Sequence, residues 1–267
     1  MGFFITYTVL CSKGNVRAKN QDNFWCMGKF LNCENDGLAE PIIGMIETKD
    51  LPAFAVFDGM GGEQHGEVAA HIAARSFDSA YKACPKNDTK KFLLGACAKM
   101  NEAICTLAEE MHIRSTGTTA AILMFGKKEV FICNIGDTRI YQFSTGKLTQ
   151  ITLDHCDSSV MGRKPPLSQN LGIPETEFVI TPYLAKGVYG NKDRYLICSD
   201  GLTDMVSDKE IGEVILKNSS VSKSAEELLQ RALNSGGNDN ITVVVCEIRK
   251  HNRFSRNHTQ RDCISAE

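Results

Sequence analysis

The sequence lacks an excess of charge of either sign, and it lacks long apolar runs. Its 267 residues contain 30 Lys and Arg against 32 Asp and Glu, so the net charge at pH 7 is -2. This balance gives no support for a protein that binds nucleic acid by neutralising phosphates. No stretch reaches the length of a transmembrane helix, and the first residues lack the features of a secretion signal. The sequence therefore predicts neither a nucleic-acid partner nor a membrane span.

Paired cysteine motifs are also missing. The eleven cysteines include no Cys-x-x-Cys pair, and Cys133, Cys198 and Cys246 lie inside apolar runs, where cysteine behaves as a small buried side chain. The six histidines show no spacing shared with the cysteines that would build a tetrahedral zinc site. We therefore expect a reducing, cytoplasmic location and no zinc.

Short runs rich in β-branched and aromatic residues recur along the chain and predict strands. They lie at 3–10, 53–57, 118–125, 129–135, 139–143, 194–199 and 241–248. Apolar residues at helical spacing predict helices over about 66–81 and 91–111. A third helix is predicted from Ser224, whose spacing to Glu227 fits a capping box.

The order of these elements argues against a parallel sheet, because strands and helices do not alternate regularly. We therefore expect a mostly antiparallel α+β architecture. No linker, repeat or low-complexity tract interrupts residues 1–248, which we interpret as one catalytic domain. Residues 249–267 hold five Lys and Arg against two acids and show no periodicity, so we predict a basic, disordered tail.

Four aspartates lie where an apolar run ends or begins, next to glycine or a small polar residue. They are Asp58, Asp137, Asp200 and Asp239. A single aspartate in this position is more often a turn residue. Four of them would converge if the strands lie in facing sheets, and clustered carboxylates cannot all stay ionised without a compensating cation. The pattern therefore predicts a metal site, and its oxygen ligands favour Mg2+ or Mn2+.

Six short motifs, taken in order, resemble those of the metal-dependent type 2C serine/threonine protein phosphatase family. They are R-x-x-N-Q-D at 17–22, DGMGG at 58–62, TGTT at 116–119, GDTR at 136–139, SDGLTD at 199–204 and DNIT at 239–242. Each string alone is weak, but six in the family's order over about residues 3–248 argue strongly against chance. On this resemblance the chain is identified as a bacterial-type member of the family.

The resemblance implies a four-layer α-β-β-α sandwich, in which two mostly antiparallel sheets are flanked by helices and the metals lie in a cleft at one end. It implies that Asp58 bridges two Mn2+ or Mg2+ ions and that the carbonyl oxygen of Gly59 binds one of them. The remaining ligands would be Asp22, Asp200 and Asp239. A water that bridges the two ions would attack the phosphate of phosphoserine or phosphothreonine. The expected partners are phosphorylated proteins and a cognate Ser/Thr kinase.

Two further assignments leave alternatives open. The resemblance places Arg17 on the substrate phosphate, which suits a guanidinium that donates paired hydrogen bonds. Taken alone, Arg17 would be a surface arginine paired with a neighbouring acid. Asp137, together with Asp200, matches a third and more weakly held metal site of the family. Its structural alternative is an aspartate that stabilises a turn with Arg139 as its partner.

The chain departs from the family pattern where a general acid is expected. Some members carry a histidine directly after the first Asp-Gly, whereas this chain has Met60, which cannot donate a proton. Bacterial-type members usually continue DGMGG with histidine at once, whereas here Glu63 follows and His65 comes two residues later. An imidazole can donate a proton near neutral pH, so His65 is one candidate. The alternative is an exposed, inert histidine at a helix start.

A second departure concerns the segment at about 154–171, which is shorter than usual where the family carries a mobile flap. It has no helical periodicity, and its two adjacent prolines would break a helix. The resemblance therefore says less about substrate selection and about the third metal than about the metal pair.

Two other classes of protein would share these carboxylates. A two-metal nuclease would need a basic groove, which an acidic body does not supply. A pseudophosphatase would keep the fold as a regulatory binding module, but loss of ligands is its simplest signature. The sequence retains all of the residues in question: Arg17, Asp22, Asp58, Asp200 and Asp239.

Overall fold

The structure is a computed structural model that describes residues 2–60, 65–83, 88–113, 116–157 and 165–250. The strands in these ranges are β1 (Phe3–Ser12), β2 (Asp22–Cys26), β3 (Ile42–Glu47), β4 (Ala53–Met60), β5 (Gly117–Thr118), β6 (Ala120–Phe125), β7 (Glu129–Ile135), β8 (Arg139–Ser144), β9 (Lys147–Gln150), β10 (Tyr183–Val188), β11 (Arg194–Cys198) and β12 (Ile241–Lys250). The α-helices are α1 (Gly66–Lys82), α2 (Thr89–Glu110), α3 (Asp200–Thr203), α4 (Asp208–Lys217) and α5 (Val221–Asn234). No helix in the described ranges is long and apolar enough to cross a membrane.

The strands form two antiparallel sheets that pack face to face. The first sheet has the order β3-β1-β12-β11-β8-β9, and the second has the order β10-β7-β6-β4-β2, with the short β5 paired to β4. Helices α1 and α2 cover the outer face of the second sheet, and α3, α4 and α5 cover that of the first. The predicted four-layer α-β-β-α sandwich is therefore confirmed.

Strand β4 shows why the central strands are apolar at every position. Ala55 and Phe57 pack against α1 and α2, whereas Phe54 and Val56 lie in the core between the two sheets. Successive side chains of a strand point to opposite faces, so a strand covered on both faces must be apolar throughout. The apolar run of β4 ends at Asp58, and the strand itself continues to Met60.

The predicted strand at 118–125 is divided in two beside Asp58. The break falls at Thr119, between β5 and β6. The N–H of Thr119 donates to the carbonyl oxygen of Asp58 (2.9 Å), and the N–H of Asp58 donates to Oγ1 of Thr119 (3.0 Å). Both backbone polar groups of Asp58 are thus bonded to Thr119, which fixes the main chain at this point.

Helix α5 starts earlier than the sequence indicated. It begins at Val221, and the side chain of Ser220 accepts a hydrogen bond from the N–H of Lys223 (3.2 Å). The capping box proposed between Ser224 and Glu227 is therefore wrong. Ser224 lies inside the helix, where its hydroxyl donates to the carbonyl oxygen of Ser220 (3.2 Å).

The capping box of this region lies at the start of α4, a helix that was not predicted. Ser207 and Glu210 bond reciprocally there, side chain to main chain. The buried residues Ile211, Val214 and Ile215 follow at helical spacing. With only ten residues, α4 gives a short periodic signal.

Four strands were also not predicted, and all four are sheet edges. β3 and β9 end the first sheet, and β10 and β2 end the second. β3, β9 and β10 are only partly buried. β9 and β10 lack a continuous apolar run, whereas residues 42–46 of β3 form one that was overlooked. β2 is buried but has only five residues and starts with Asp22.

Only the first two residues of the predicted tail at 249–267 lie within the described ranges. β12 continues to Lys250, two residues beyond the predicted domain end at 248. Residues 251–267 lie outside the described residues, so the disordered tail stays a prediction.

Candidate metal centre

Two candidate ligands lie directly opposite each other on neighbouring strands. Asp22 begins β2 and is the register partner of Asp58 in β4. Opposed residues of an antiparallel pair project from the same face of the sheet, with Cβ atoms about 4.5–5.5 Å apart. The two aspartates that the sequence placed 36 positions apart are therefore neighbours.

Two further candidates approach from the first sheet. Asp200 begins α3 just after β11, and Asp239 lies just before β12. Since β11 and β12 are paired, both aspartates lie at the same end of this sheet. A Cβ atom at Gly201 would come within 2.0 Å of the carbonyl oxygen of Asn240. Only glycine permits this close approach of the two loops.

The carboxylates lie close enough to change one another's ionisation. The pKa of Asp58 is raised well above its ordinary value, first by removal from water and then by repulsion from the other four candidates: Asp200, Asp22, Asp137 and Asp239. The pKa of Asp22 is raised to about 7, first by burial and further by repulsion from Asp200 and Asp239. The structure thus brings all five sequence-predicted aspartates together. A cation would favour their ionised forms.

Asp22 is fixed by two hydroxyl groups. Oγ of Ser199 and Oγ1 of Thr242 each donate to its Oδ2 atom at 2.7 Å. These bonds stabilise the ionised carboxylate and so lower the pKa of Asp22. Burial raises the same pKa by a larger amount. The sequence analysis did not single out either hydroxyl. Their signal was their place inside the SDGLTD and DNIT motifs.

Arg17 lies beside the acidic cluster and is paired with one of its members. Its Nη2 atom is 2.6 Å from Oδ2 of Asp239. The hydrogen bond to Asp239 is the largest cause of the raised pKa of Arg17, and the charges of Asp200 and Asp58 raise it further. Arg17 therefore does have an acidic neighbour, as the structural alternative expected. That neighbour is itself a candidate metal ligand.

The loop that carries Arg17 is tied to the Asp239 turn by Asn240. Nδ2 of Asn240 donates to the carbonyl oxygens of Lys13 (2.8 Å) and Lys19 (2.9 Å). Its Oδ1 accepts from the N–H of Gln21 (2.8 Å). Asn240 is 4% exposed, so its amide is used almost wholly inside the protein. Sequence reasoning missed this residue.

The main chain at Gly59 is packed too closely for a side chain. A Cβ atom there would lie 2.2 Å from the carbonyl oxygen of Gly66 and 2.5 Å from that of Gln21. The N–H of Gly59 donates to the carbonyl oxygen of Gln21 (3.0 Å). The sequence-predicted carbonyl ligand thus follows Asp58 directly on a fixed stretch of backbone.

Asp137 follows a turn that a buried histidine holds. Gly136 has a φ of 98°, its N–H donates to Nδ1 of His155 (3.1 Å), and its carbonyl oxygen accepts from the N–H of His155 (3.0 Å). Burial lowers the pKa of His155, which favours the neutral ring that can accept this bond. Arg139 donates to the carboxylate of Asp154 at 2.7 to 3.2 Å. The two roles considered for Asp137, a metal ligand and an aspartate that stabilises a turn with Arg139, stay predictions.

Comparisons with known proteins identify the family of the chain. The family model described as protein phosphatase 2C matches residues 42–243. The chain belongs to the protein phosphatase 2C family. The recognition of the family and the prediction of a phosphatase are therefore confirmed.

Individual relatives cover nearly the whole chain. The serine/threonine phosphatase stp of Listeria welshimeri is 32% identical over 258 residues, which cover 88% of this chain and 92% of that protein. The crystal structure of the serine/threonine phosphatase PstP of Mycobacterium tuberculosis is 30% identical with a TM-score of 0.75, covering 93% of this chain and 100% of that one. A structure of the PstP catalytic domain in complex with two manganese ions has a TM-score of 0.74 at 31% identity, with the same coverage.

The donor atoms of this 2C-family chain suit hard divalent cations, because they are carboxylates and a main-chain carbonyl. Burial first, and then repulsion among the carboxylates, raises the pKa of Asp22 and of Asp58, and a bound cation would offset both effects. In the described part of the chain, no three His, Cys, Asp or Glu side chains surround one point as ligands of a single ion. Mg2+ commonly binds only one or two carboxylates and keeps several waters. The residues therefore fit ions that share carboxylates and complete their coordination with water.

The position of the family's general acid lies at the edge of the described residues. β4 ends at Met60, residues 61–64 are outside the described ranges, and His65 precedes α1 with a φ of 65°. The carbonyl oxygen of His65 accepts from the N–H of Val68 (3.0 Å) and from Oγ1 of Thr116 (3.1 Å). These are main-chain contacts of His65, so both interpretations of its side chain stay predictions.

The described part of the shortened segment is not helical, as the sequence predicted. Cys156 and Leu167 form an antiparallel bridge, and the N–H of Asp157 donates to the carbonyl oxygen of Pro166 (3.0 Å). Residues 158–164 lie outside the described residues. The two sides of this segment therefore meet close to the turn that carries Asp137.

Proposed function

We propose that this chain is a metal-dependent serine/threonine protein phosphatase, which hydrolyses phosphoserine and phosphothreonine monoesters in proteins. The observation that carries the proposal is the cluster of five aspartates at one end of the sandwich, with Arg17 at its side. The names of the relatives in Listeria welshimeri and Mycobacterium tuberculosis support serine and threonine as the phosphorylated residues.

The ligands proposed for two Mn2+ or Mg2+ ions are Asp22, Asp58, Gly59, Asp200 and Asp239. Bound there, the ions would supply Lewis-acid chemistry that activates water at neutral pH and stabilises charge on the phosphoryl group. Asp58 suits the shared position, because the other four aspartates all act on its pKa. A third and weaker ion at Asp137 and Asp200 belongs to the same proposal. The two manganese ions bound by PstP support the pair.

Arg17 is proposed to bind the substrate phosphate. A guanidinium donates hydrogen bonds in a planar fork that matches phosphate oxygens. Nη2 of this guanidinium donates to Oδ2 of Asp239 at 2.6 Å. Compensation of the Asp239 charge would weaken that pair, so the guanidinium would be released toward the phosphate.

The reaction breaks the bond between phosphorus and the ester oxygen, and the departing oxygen must take up a proton. Met60 has no proton to give, and the contacts of His65 involve its main chain. We propose that water supplies this proton, with the side chain of His65 as the alternative donor.

Hydrolysis of a phosphothreonine peptide by the full chain tests the proposal. We expect activity with Mn2+ and its disappearance with EDTA. Full activity in the metal-free enzyme would contradict the mechanism. Binding of Mn2+ in calorimetry without any hydrolysis, of peptide or of p-nitrophenyl phosphate, would instead identify a pseudophosphatase.

A further inference from the structure

A cavity of about 570 Å³ opens beside the end of β4. Met60 lines it, together with Thr116 and Gly117, and Gly117 is the register partner of Met60. Met60 lies two residues beyond Asp58 on the same strand, a distance of about 7 Å. The cavity is therefore next to the candidate metal centre. Its volume is in the range of ligand sites, about 300–1,000 Å³.

The opposite walls of the cavity come from α2 and from the loop after residue 170. The end of α2 contributes Ala108 and Glu109, and the loop contributes Ile173, Pro174 and Glu177. Each wall therefore combines apolar surface with one carboxylate. A site of this kind suits a side chain that is apolar along its stem and positively charged at its end.

A carboxylate lies on each of these two walls, Glu109 on α2 and Glu177 on the loop, and His112 also lines the cavity. The pKa of the Cys105 thiol, which also lines the cavity, is raised first by burial and then by the charges of Glu109, Glu177 and Glu175. Carboxylates from α2 and from the loop thus both raise the pKa of the same thiol. The described lining contains no lysine or arginine, and Arg114 lies outside the described residues.

We propose that this cavity binds a lysine or arginine side chain of the protein substrate, close in sequence to the phosphorylated residue. Lysine and arginine bury their aliphatic stems against apolar surface and keep the charged end near polar groups. Consecutive residues of an extended chain are about 3.3–3.6 Å apart, so the basic residue would lie one to three positions from the phosphorylated one. This inference rests on the proposed function and specifies its substrate class.

A peptide series measures this preference directly. The host is a neutral phosphothreonine peptide in which one lysine is moved through the three positions on either side of the phosphothreonine. With Mn2+ and the full chain, we expect one or two lysine positions to raise kcat/KM through a lower KM. A glutamate at the same position should lower kcat/KM.

Variants of the two wall carboxylates assign the preference to the cavity. Glu109→Gln and Glu177→Gln should each reduce the advantage of the best lysine peptide by about two- to fivefold, as for exposed charge pairs. Glu110→Gln is the matched control, because it removes the same charge from the same helix but does not line the cavity. p-Nitrophenyl phosphate has no flanking residues, so its hydrolysis should not change in any variant.

The possible results separate this inference from the proposed function. A wild-type protein that does not hydrolyse p-nitrophenyl phosphate with Mn2+ refutes the function itself. Hydrolysis of p-nitrophenyl phosphate without a preference for lysine peptides overturns the inference alone. So does an equal effect of Glu110→Gln, which would indicate a general effect of charge. A reversed preference in the double variant Glu109→Lys/Glu177→Lys would support the cavity as the site.

Discussion

The two sides of Asp58 are built in different ways. Toward Asp22, two hydroxyl groups and the amide of Asn240 form five hydrogen bonds that fix the carboxylate and the loop beside it. On the other side, Met60 lines an open cavity. His65, the residue before α1, has a left-handed backbone conformation. We call the surroundings of Asp22 and Asn240 the bonded side, and the surroundings of Met60 and His65 the open side.

This difference corresponds to two physical requirements. Ions with strict coordination geometry need ligands that neighbouring hydrogen bonds hold in place. A site for many protein substrates gains less from rigid contacts, because the flanking residues differ from one substrate to the next. We therefore expect changes on the Asp22 side to affect turnover, and changes on the Met60 side to affect the choice of substrate.

The largest effect is expected for Asp239→Asn on the bonded side. Loss of a ligand should lower turnover by more than the roughly 10- to 100-fold that follows loss of an outer-sphere partner. The metal-free protein should stay folded, because removal of one charge relieves repulsion among the carboxylates. Steady-state kinetics at saturating Mn2+ and thermal unfolding with EDTA measure the two results. Near wild-type turnover at saturating metal would exclude Asp239 as a ligand.

The next largest effect is expected for Arg17→Ala, which should mainly raise KM. Hydrogen bonds to charged groups are worth about 1.5–3 kcal/mol, so KM for a phosphopeptide should rise roughly 10- to 100-fold while kcat changes less. Arg17→Lys is the control that keeps the charge but loses the planar fork, and it should recover only part of the affinity. An unchanged KM would show that Arg17 does not bind the substrate phosphate and only pairs with Asp239.

A smaller effect is expected on the stability of the metal-free protein as a function of pH. The pKa of Asp22 is about 7 in the folded state and about 3.9 in an unfolded chain. Between these values the folded state keeps a proton that the unfolded state has lost, so stability falls as pH rises through this window. The slope for one group is at most about 1.4 kcal/mol per pH unit.

Urea denaturation with EDTA between about pH 4 and pH 8 measures this slope. Asp22→Asn should reduce the slope without abolishing it, because the amide does not titrate in this range whereas the pKa of Asp58 is also raised. Saturating Mn2+ should remove or reverse it, since a cation favours the ionised carboxylates. A metal-free protein that becomes more stable from pH 4 to pH 7 would contradict the assignment.

Three of the candidate carboxylates could be located from the sequence pattern, for a physical reason. Asp58, Asp200 and Asp239 each adjoin a strand that is covered on both faces, so a continuous apolar run marks the position of each carboxylate. The edge strands β9 and β10 carry no such mark, β3 does over residues 42–46, and none of the four edge strands was predicted. The position of these three aspartates at strand ends could therefore be predicted from local patterns, whereas their convergence depended on the facing sheets that the family resemblance implied.

The residues that fix the site could not be predicted in this way. Asn240 bonds to main-chain groups that lie 219 to 227 positions earlier in the sequence. The hydroxyl of Ser199 reaches a carboxylate 177 positions away. No local spacing contains such contacts, because they depend on how the two sheets come together. The same is true of the cavity, which is assembled from three separate segments.

The smallest effect is expected for His65→Ala on the open side. General acid catalysis contributes about 10²- to 10⁴-fold and matters most when the leaving group is poor. Nitrophenolate leaves readily, whereas the alkoxide of serine needs a proton. If water supplies that proton, His65→Ala should change kcat for p-nitrophenyl phosphate and for a phosphoserine peptide by similar, modest factors. The described hydrogen bonds of His65 involve its carbonyl oxygen, which alanine retains.

Comparison of the two substrates decides this point more sharply than either rate alone. A true acid would lose activity on the phosphoserine peptide by at least about 100-fold more than on p-nitrophenyl phosphate, and the Mn2+ affinity would not change. A local distortion at the start of α1 would lower both rates together, because Gly66 packs against Gly59. A selective loss on the peptide would therefore identify His65 as the proton donor and would place a catalytic group on the open side of Asp58.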